Sequence, residues 1–304
     1  MDAHIRYSNS GKGIREMIAL AQALPGVAVT PDELDSDPWL LNCLNGVIDL
    51  KTGALLPHNQ EYLITKMVPV EYDPAATCPT WERFCADVFN NNTGVIAFMQ
   101  RLLGYCLTGD TSERIMAILW GTGKNGKTTL IEVIAEMLGD YAGTVRPEAL
   151  LVTRGDSIPN DIAALKGARF VYTSESDEGR RLSEALVKQI TGGDKISARF
   201  MRAEWFSYRP TFKVLMATNH RPQVRGTDNA IWDRLRLVPF TTRFDDNLVD
   251  LAAGRCKPLD KQMREKLLAE LPGILAWAVR GCLAWQQHRS LAAPPEVLAA
   301  TEEY

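Results

Sequence analysis

The sequence lacks the features of a secreted, membrane-spanning or zinc-held protein. No apolar run among its 304 residues reaches transmembrane length, and its start, MDAHIRYSNSGKG, is polar, so we expect neither a signal peptide nor a membrane partner. The six cysteines form no C-x-x-C pair, which argues against a zinc site. Scattered cysteines of this kind are typical of small buried side chains in a reducing cytosol.

An overall basic charge is also missing, because 34 Lys and Arg stand against 37 Asp and Glu, giving a formal net charge of −3. Any contact with nucleic acid must therefore come from a local basic patch. The chain is nevertheless long enough for a sizeable core, and 46% of its residues are hydrophobic. These values predict a globular protein of two or three domains.

The most informative segment is a phosphate-binding loop. An apolar run at 115–120 leads into GTGKNGKT at 121–128, a complete G-x-x-x-x-G-K-[ST] motif, and a helical pattern follows. Such a loop turns its backbone amides towards phosphate oxygens at a helix N-terminus. We expect Lys127 to reach the β- and γ-phosphates of ATP and Thr128 to bind Mg²⁺. The predicted nucleotide-binding residues are Gly121, Thr122, Gly123, Lys124, Asn125, Gly126, Lys127, Thr128 and Thr129.

A second strand-like run, at 169–174, leads into acidic residues. A P-loop NTPase needs an acid at the end of a strand beside the P-loop strand, where it holds Mg²⁺ and polarises the attacking water. Glu175 is the first candidate for metal binding and catalysis, Asp177 is the second, and Glu178 is weaker. Which of the first two activates water stays open. The alternative is a solvated acidic loop.

A third segment, at 194–210, predicts a hairpin with two β-prone arms around a charged middle. Its lysine and three arginines suit phosphates, and the aromatic residues between them can stack on bases. The alternative is an ordinary amphipathic hairpin whose cations face water. In either case we expect Trp205 and Phe206 to lie partly in the core.

Two further polar positions follow apolar segments. The strand KVLMATN, at 213–219, ends in Asn219, which in ring NTPases can lie beside the γ-phosphate, although Asn219 also suits the start of a turn. The segment NAIWDRLRLVPF, at 229–240, contains Arg234 and Arg236. An arginine supplied by a neighbouring subunit could neutralise charge on the γ-phosphate. The alternative is a pair of surface arginines.

Taken in order, these motifs resemble the superfamily 3 helicases, and in particular the helicase part of phage and plasmid primase–helicases related to the poxvirus primase–helicase. The segments LLNCLNGVIDLKTGAL and CPTWERF resemble the helix-rich domain that precedes the ATPase in that family. The resemblance implies an α/β fold with an AAA+-like parallel-sheet core. It divides the chain into a mostly helical N-terminal domain (1–95), an ATPase domain (96–245) and a truncated C-terminal helical region (246–304).

The resemblance also implies residue roles. Lys127 and Thr128 would serve ATP and Mg²⁺, Glu175 would be the Walker B acid, Asn219 the sensor and Arg234 the arginine finger of a hexameric ring. The hairpin would grip one DNA strand in the ring's channel, with DNA contacts at Lys195, Arg199, Phe200 and Arg202. Many family members have two adjacent acids at the Walker B position, whereas Ser176 separates Glu175 from Asp177 here.

The expected function is that of an ATP-dependent DNA helicase or translocase in phage, prophage or plasmid replication. Its partners would be single-stranded or forked DNA, copies of itself and a primase domain or primase protein, in the cytoplasm of a bacterial host. One alternative is an ATP-driven ring that remodels an origin without productive unwinding. Another is a small-molecule kinase, which would need neither a ring nor a basic hairpin.

Overall fold

A computed structural model describes residues 2–24, 26–152, 160–174, 180–199, 204–225 and 229–304. The chain folds into two compact units. The smaller unit consists of residues 1–36 and 59–65, and the larger consists of residues 37–58 and 66–304. The domain boundaries expected at residues 95 and 245 stay predictions.

Helices and strands alternate through most of the chain. The helices are α1 (Asp2–Ser8), α2 (Gly11–Ala21), α3 (Pro79–Val88), α4 (Thr93–Cys106), α5 (Lys127–Leu138), α6 (Pro147–Leu150), α7 (Asn160–Ala163), α8 (Glu184–Thr191), α9 (Asn229–Trp232), α10 (Leu248–Ala252), α11 (Met263–Leu268), α12 (Leu271–His288) and α13 (Pro295–Glu302). The strands are β1 (Leu40–Cys43), β2 (Gly46–Asp49), β3 (Ala54–Leu56), β4 (Met116–Trp120), β5 (Ala142–Thr144), β6 (Phe170–Ser174), β7 (Ile196–Ala198), β8 (Phe206–Tyr208), β9 (Lys213–Thr218), β10 (Leu235–Pro239), β11 (Phe244–Asp245) and β12 (Lys257–Pro258).

The smaller unit is built around two N-terminal helices, α1 and α2. Ser10 separates them and caps α2, because its hydroxyl oxygen accepts a hydrogen bond from the Gly13 amide at 3.0 Å. The returning segment adds a short 3₁₀ helix, Gln60–Tyr62. The helical start expected from the sequence is confirmed.

The larger unit centres on a five-stranded parallel sheet in the order β10-β4-β9-β6-β5. This confirms the predicted parallel α/β core with a strand before the P-loop and a helix after it. One detail of the expectation is wrong, since the strand that leads to the acids, β6, is separated from β4 by β9. A crossover in a parallel sheet can skip a neighbouring position, so the residue pattern of a strand does not specify its place in the order.

The sheet is covered on both faces, which explains why its central strands β4 and β9 are buried along almost their whole length. Successive residues of β4 point to opposite faces, so Ala117 and Leu119 pack in one hydrophobic cluster and Met116 and Ile118 in another. The first cluster includes α3, α4, α5 and α12. The second includes α8 and the arms β7 and β8.

Two buried cations hold the end of the sheet at which β6 and β9 begin, called here the amino end. Arg169 donates to the carbonyls of Leu107 and Leu40, each at 2.7 Å. The Lys213 ammonium donates to Thr108 O at 2.5 Å and lies 4.6 Å from the Tyr105 ring centroid. These cations join the sheet to the segments that surround β1 and follow α4.

The burial of Lys213 changes its acidity. Desolvation lowers the pKa of Lys213 to about 7, while its carbonyl acceptors favour the charged form. The stability of the amino end is therefore expected to depend on pH.

The N-terminal and C-terminal parts of the larger unit complete its frame. A second sheet, β1-β2-β3, is antiparallel, and residues 50–53 connect β2 to β3. At the β10 edge of the five-stranded sheet, α13 packs on β10, and the Thr301 hydroxyl oxygen accepts a hydrogen bond from the Leu237 amide at 3.0 Å. None of the described helices is long and apolar enough to cross a membrane.

Candidate active site

The P-loop lies at the carboxyl end of the sheet, between the last residue of β4 and the first turn of α5. Gly126 begins that turn with a φ of +82°, a backbone conformation that favours glycine. Gly121 permits a close approach, because a Cβ there would meet the Phe240 carbonyl oxygen at 2.4 Å. The side-chain amide of Asn125 donates to the same carbonyl at 3.1 Å, which fixes the loop against the end of β10.

The Lys127 ammonium sits inside this loop. It donates hydrogen bonds to Gly121 O at 2.7 Å, to Asn125 Oδ1 at 2.6 Å and to Asn219 Oδ1 at 3.1 Å, and the residue is only 5% exposed. The structure therefore brings Lys127 and Asn219 together, although 92 positions separate them in sequence. Their roles in catalysis stay predictions.

The predicted metal ligands are only partly described. Thr128 is exposed in the first turn of α5, where a hydroxyl can reach a metal ion held by phosphate oxygens. Glu175 and Asp177, the predicted acids, lie outside the described residues. The strand before them ends at Ser174, in register with Ala217 of β9, so the chain leaves β6 at the carboxyl end of the sheet.

A segment after β10 grips the P-loop from the outside. We call residues 243–264 the strap. Within it, β11 and β12 pair in parallel. The Phe244 amide donates to Lys124 O at 2.7 Å, and the Lys124 ammonium lies 3.2 Å from an Asp245 carboxylate oxygen. The Arg243 guanidinium and then the Lys124 ammonium hold the pKa of Asp245 well below its usual range.

A cavity of about 600 Å³ opens beside the P-loop. Its walls are the loop and first turn of α5, the end of β9, the inner side of α3 and the strap. Its volume falls in the range of small-molecule sites. The sequence did not point to α3 or the strap as parts of this site, because their residues carry no phosphate-binding signal.

Arg234, the predicted arginine finger, lies at the amino end of the sheet. It directly precedes β10, which pairs with β4 from Leu235 opposite Met116 to Pro239 opposite Trp120. Five strand residues span about 15 Å, so this arginine lies far from the P-loop of its own chain. Its Nη1 donates to Ala230 O, and its buried Nε has no hydrogen-bond partner among the described residues.

The basic hairpin is confirmed as two antiparallel arms, β7 and β8, with Ser197 opposite Ser207. Lys195, which precedes β7, and Arg199, which follows it, are both exposed, whereas Phe200 and Arg202 lie outside the described residues.

The expectation for Trp205 is wrong, because its side chain is 58% exposed. The Arg199 guanidinium stacks over its indole, 4.9 Å from the ring centroid, and the two together form an exposed cation–aromatic pair. Phe206 is partly buried and stacks on Tyr208, as the alternating pattern of a strand requires.

Two protein families match separate parts of the chain. The family described as D5 N terminal like matches residues 1–90, and a family of unknown function, DUF5906, matches residues 119–234. The segment that contains the strap lies beyond both matches.

Several viral proteins match more than two thirds of the chain. A candidate helicase of Acanthamoeba polyphaga mimivirus, L207/L206, is 29% identical over 69% of this chain and 22% of its own length. A candidate helicase of Invertebrate iridescent virus 6, 184R, is 26% identical over 83% of this chain and 26% of its own length. A candidate primase of African swine fever virus, C962R, is 25% identical over 70% of this chain and 23% of its own length.

The chain is therefore a relative of the primase–helicase family. It spans about a quarter of the length of these viral relatives, as the 22% and 26% shares indicate.

Among solved structures, the apo form of the NrS-1 C-terminal region matches with a TM-score of 0.53 and 10% identity, over 77% of this chain and 53% of that chain. A second apo structure of that region, residues 305–718, gives a TM-score of 0.52 with 11% identity, over 70% of this chain and 50% of that chain. At these identities the match supports the fold alone and carries no information about the reaction. The structural match thus agrees with the α/β fold expected from the sequence.

Proposed function

We propose that this chain is the ATPase part of a superfamily 3 DNA helicase or translocase that works in phage, prophage or plasmid replication. The observation that carries the proposal is the meeting of Lys127 and Asn219 at the N-terminus of α5, beside a cavity of about 600 Å³. A cation and an amide at that place suit a nucleoside triphosphate. The helicase and primase names of the viral relatives support the replication role.

In the proposed mechanism, the backbone amides of 121–128 bind the phosphates and Lys127 balances the charge that develops on them. Bound ATP would draw the Lys127 ammonium towards phosphate oxygens, in competition with the Gly121, Asn125 and Asn219 oxygens that accept from it. Thr128 and Glu175 would hold Mg²⁺, which supplies Lewis-acid stabilisation when bound. Asn219 and one of the acids, Glu175 or Asp177, would orient the attacking water.

The position of Arg234 favours a site shared between subunits. Its own P-loop lies at the opposite end of the sheet, so a head-to-tail ring would bring Arg234 to a neighbour's ATP instead. We propose a hexamer on the basis of the resemblance to superfamily 3 helicases. In such a ring every ATP site would contain one subunit's Lys127 and the next subunit's Arg234.

The hairpin supplies the proposed DNA contact. Lys195 and Arg199 are exposed at the two ends of β7, and the Arg199–Trp205 pair presents a charge and an aromatic face together. Single-stranded DNA is bound by this combination of cations and stacking surfaces. The chain's net charge of −3 is compatible with this, since only the channel of a ring needs to be basic.

The test is the rate of ATP hydrolysis with and without single-stranded DNA, with particle mass measured by light scattering at the same protein concentration. We expect a hexamer-sized particle whose turnover rises with DNA. Active particles that ignore DNA would contradict the proposal and favour a kinase-like enzyme.

The second candidate is an ATP-driven ring that remodels DNA without unwinding it. It shares the P-loop, the ring and the hairpin, so ATPase assays do not separate it from a helicase. Displacement of a labelled strand from forked DNA does, since only a helicase releases the strand in proportion to the ATP it consumes.

A further inference from the structure

The cavity beside the P-loop continues past the place where phosphates would bind. Its far part lies between α3 and the strap, with apolar walls from Phe84, Leu259 and Met263. A nucleoside triphosphate held by the P-loop places its base away from the helix N-terminus. The far part of the cavity is therefore available to the base, and its apolar walls suit a flat aromatic ring.

The walls of this part are fixed by contacts with the rest of the fold. The carboxylate of Glu270 accepts hydrogen bonds from the amides of Thr80 and Trp81, each at 3.0 Å, which secures the start of α3. Arg264, at the end of the strap, lies 3.1 Å from Glu132 and 3.0 Å from Glu136 on α5. The cavity is thus framed before any ligand enters.

One ion pair joins α3 to the strap at the wall of the cavity. The Lys257 ammonium lies 2.8 Å from Asp87 Oδ1, and the two side chains keep 29% and 39% of their surface exposed. The pair presents a carboxylate acceptor beside an ammonium donor. Both residues also line the cavity, so these polar groups face the space between the apolar walls.

We propose that this part of the cavity is an adenine site, in which Asp87 accepts a hydrogen bond from the 6-amino group and Lys257 donates to N7. The N7 edge of adenine carries one donor and one acceptor, which matches the ion pair. The same edge of guanine or hypoxanthine carries two acceptors, so its 6-oxo group would face the carboxylate. Asp87 is then the residue that selects adenine, and Lys257 also holds its carboxylate in position.

This proposal rests on the proposed function, since it assumes a triphosphate on the P-loop. The proposed site combines three segments of the chain. Helix α3 belongs to the matched segment 1–90, the P-loop belongs to the matched segment 119–234, and the strap lies outside both.

The test is a binding titration of the full chain with ATP, ITP and inorganic tripolyphosphate, each with Mg²⁺. We expect the wild type to bind ATP about tenfold more tightly than ITP, the size of one hydrogen bond to a charged group. The Asp87→Asn variant should lose most of that preference, and its affinity for tripolyphosphate should stay unchanged. Lys257→Met should also weaken the binding of ATP, and its affinity for tripolyphosphate should again stay unchanged.

The matched control is Asp246→Asn, which removes an exposed strap ion pair with Lys261, 3.5 Å long and outside the cavity lining. It should leave all three affinities unchanged. If Asp87→Asn weakens ATP, ITP and tripolyphosphate equally, the pair only holds the strap in place and the adenine site is overturned. If the wild type binds none of the three ligands, the proposed function fails as well.

Discussion

The two ends of the central sheet both carry buried cations, but the surroundings of those cations differ. At the amino end, Arg169 and Lys213 are 5% and 3% exposed and donate to carbonyls of the segments that they join. At the carboxyl end, Lys127 is also 5% exposed, yet it borders a cavity at a helix N-terminus. Burial alone therefore does not separate the cations that join segments of the fold from Lys127, the cation that we propose binds phosphate, whereas the adjoining cavity does.

Arg234 does not fit this division. It lies at the amino end, where the other cations are structural, but its Nε has no partner among the described residues. Its contact with Ala230 O uses only one nitrogen of the guanidinium. We infer that the amino end has a second purpose, which is to present Arg234 to another subunit.

The largest effect is expected from Lys127→Ala, which removes the cation at the carboxyl end. ATP turnover should fall at least about a hundredfold because phosphate charge is no longer balanced. Thermal unfolding should change little, because Asn125 and Asn219, which accept from Lys127, line the open cavity, where water can replace the ammonium. Lys12→Ala, at a side chain that is 72% exposed, is the control and should leave turnover unchanged. Normal turnover in Lys127→Ala would refute the site.

Arg234→Ala should separate binding from hydrolysis. We expect ATP affinity to be retained and turnover in the assembled particle to fall by about a thousandfold, the lower range for an arginine finger. Arg236→Ala is the matched control, because the Arg236 guanidinium donates to Asp233 O and Leu235 O of its own chain. Equal turnover in the two variants would place Arg234 with the structural cations.

Arg169→Met should act on stability instead. It leaves buried carbonyls of Leu107 and Leu40 without their donor, which should lower the free energy of unfolding by about 3 kcal/mol. Denaturant titration measures this, and ATP affinity at the native plateau should be unaltered. If Arg169→Met keeps the wild-type free energy of unfolding but fails to bind ATP, the proposed division between a structural amino end and an ATP-binding carboxyl end is wrong.

The smallest effect concerns pH. Because burial lowers the pKa of Lys213 to about 7, the unfolded chain binds more protons than the folded chain above that value. The free energy of unfolding should therefore rise between pH 7 and 8.5, by roughly 1.6 kcal/mol. Lys213→Met should remove this slope, and an identical slope in that variant would assign it to other groups.

The predictability of the site differs between its phosphate part and its base part. The P-loop could be predicted because its residues are consecutive, its glycines permit the turn of the backbone, and its lysine suits a phosphate bound there. The far part of the cavity could not, since Phe84, Asp87 and Lys257 meet only through the packing of α3 and the strap. An ion pair between residues 170 positions apart leaves no sequence pattern.

The sheet shows the same limit. Strand type followed from apolar runs, but the position of β9 between β4 and β6 did not, because crossover connections decide it. The burial of Arg169 and Lys213 could not be predicted from the sequence either, since a cation at the start of an apolar strand is usually exposed.

The central claim is that the amino end of one subunit completes the carboxyl end of another. The most direct test mixes Lys127→Ala with Arg234→Ala, each inactive alone, and measures ATP turnover after subunit exchange. A shared site predicts recovery to about a quarter of the wild-type rate at equal amounts, because a random head-to-tail ring then has one intact interface in four. No recovery, in a mixture shown by mass to form mixed rings, would mean that both residues act within one subunit and would contradict the account.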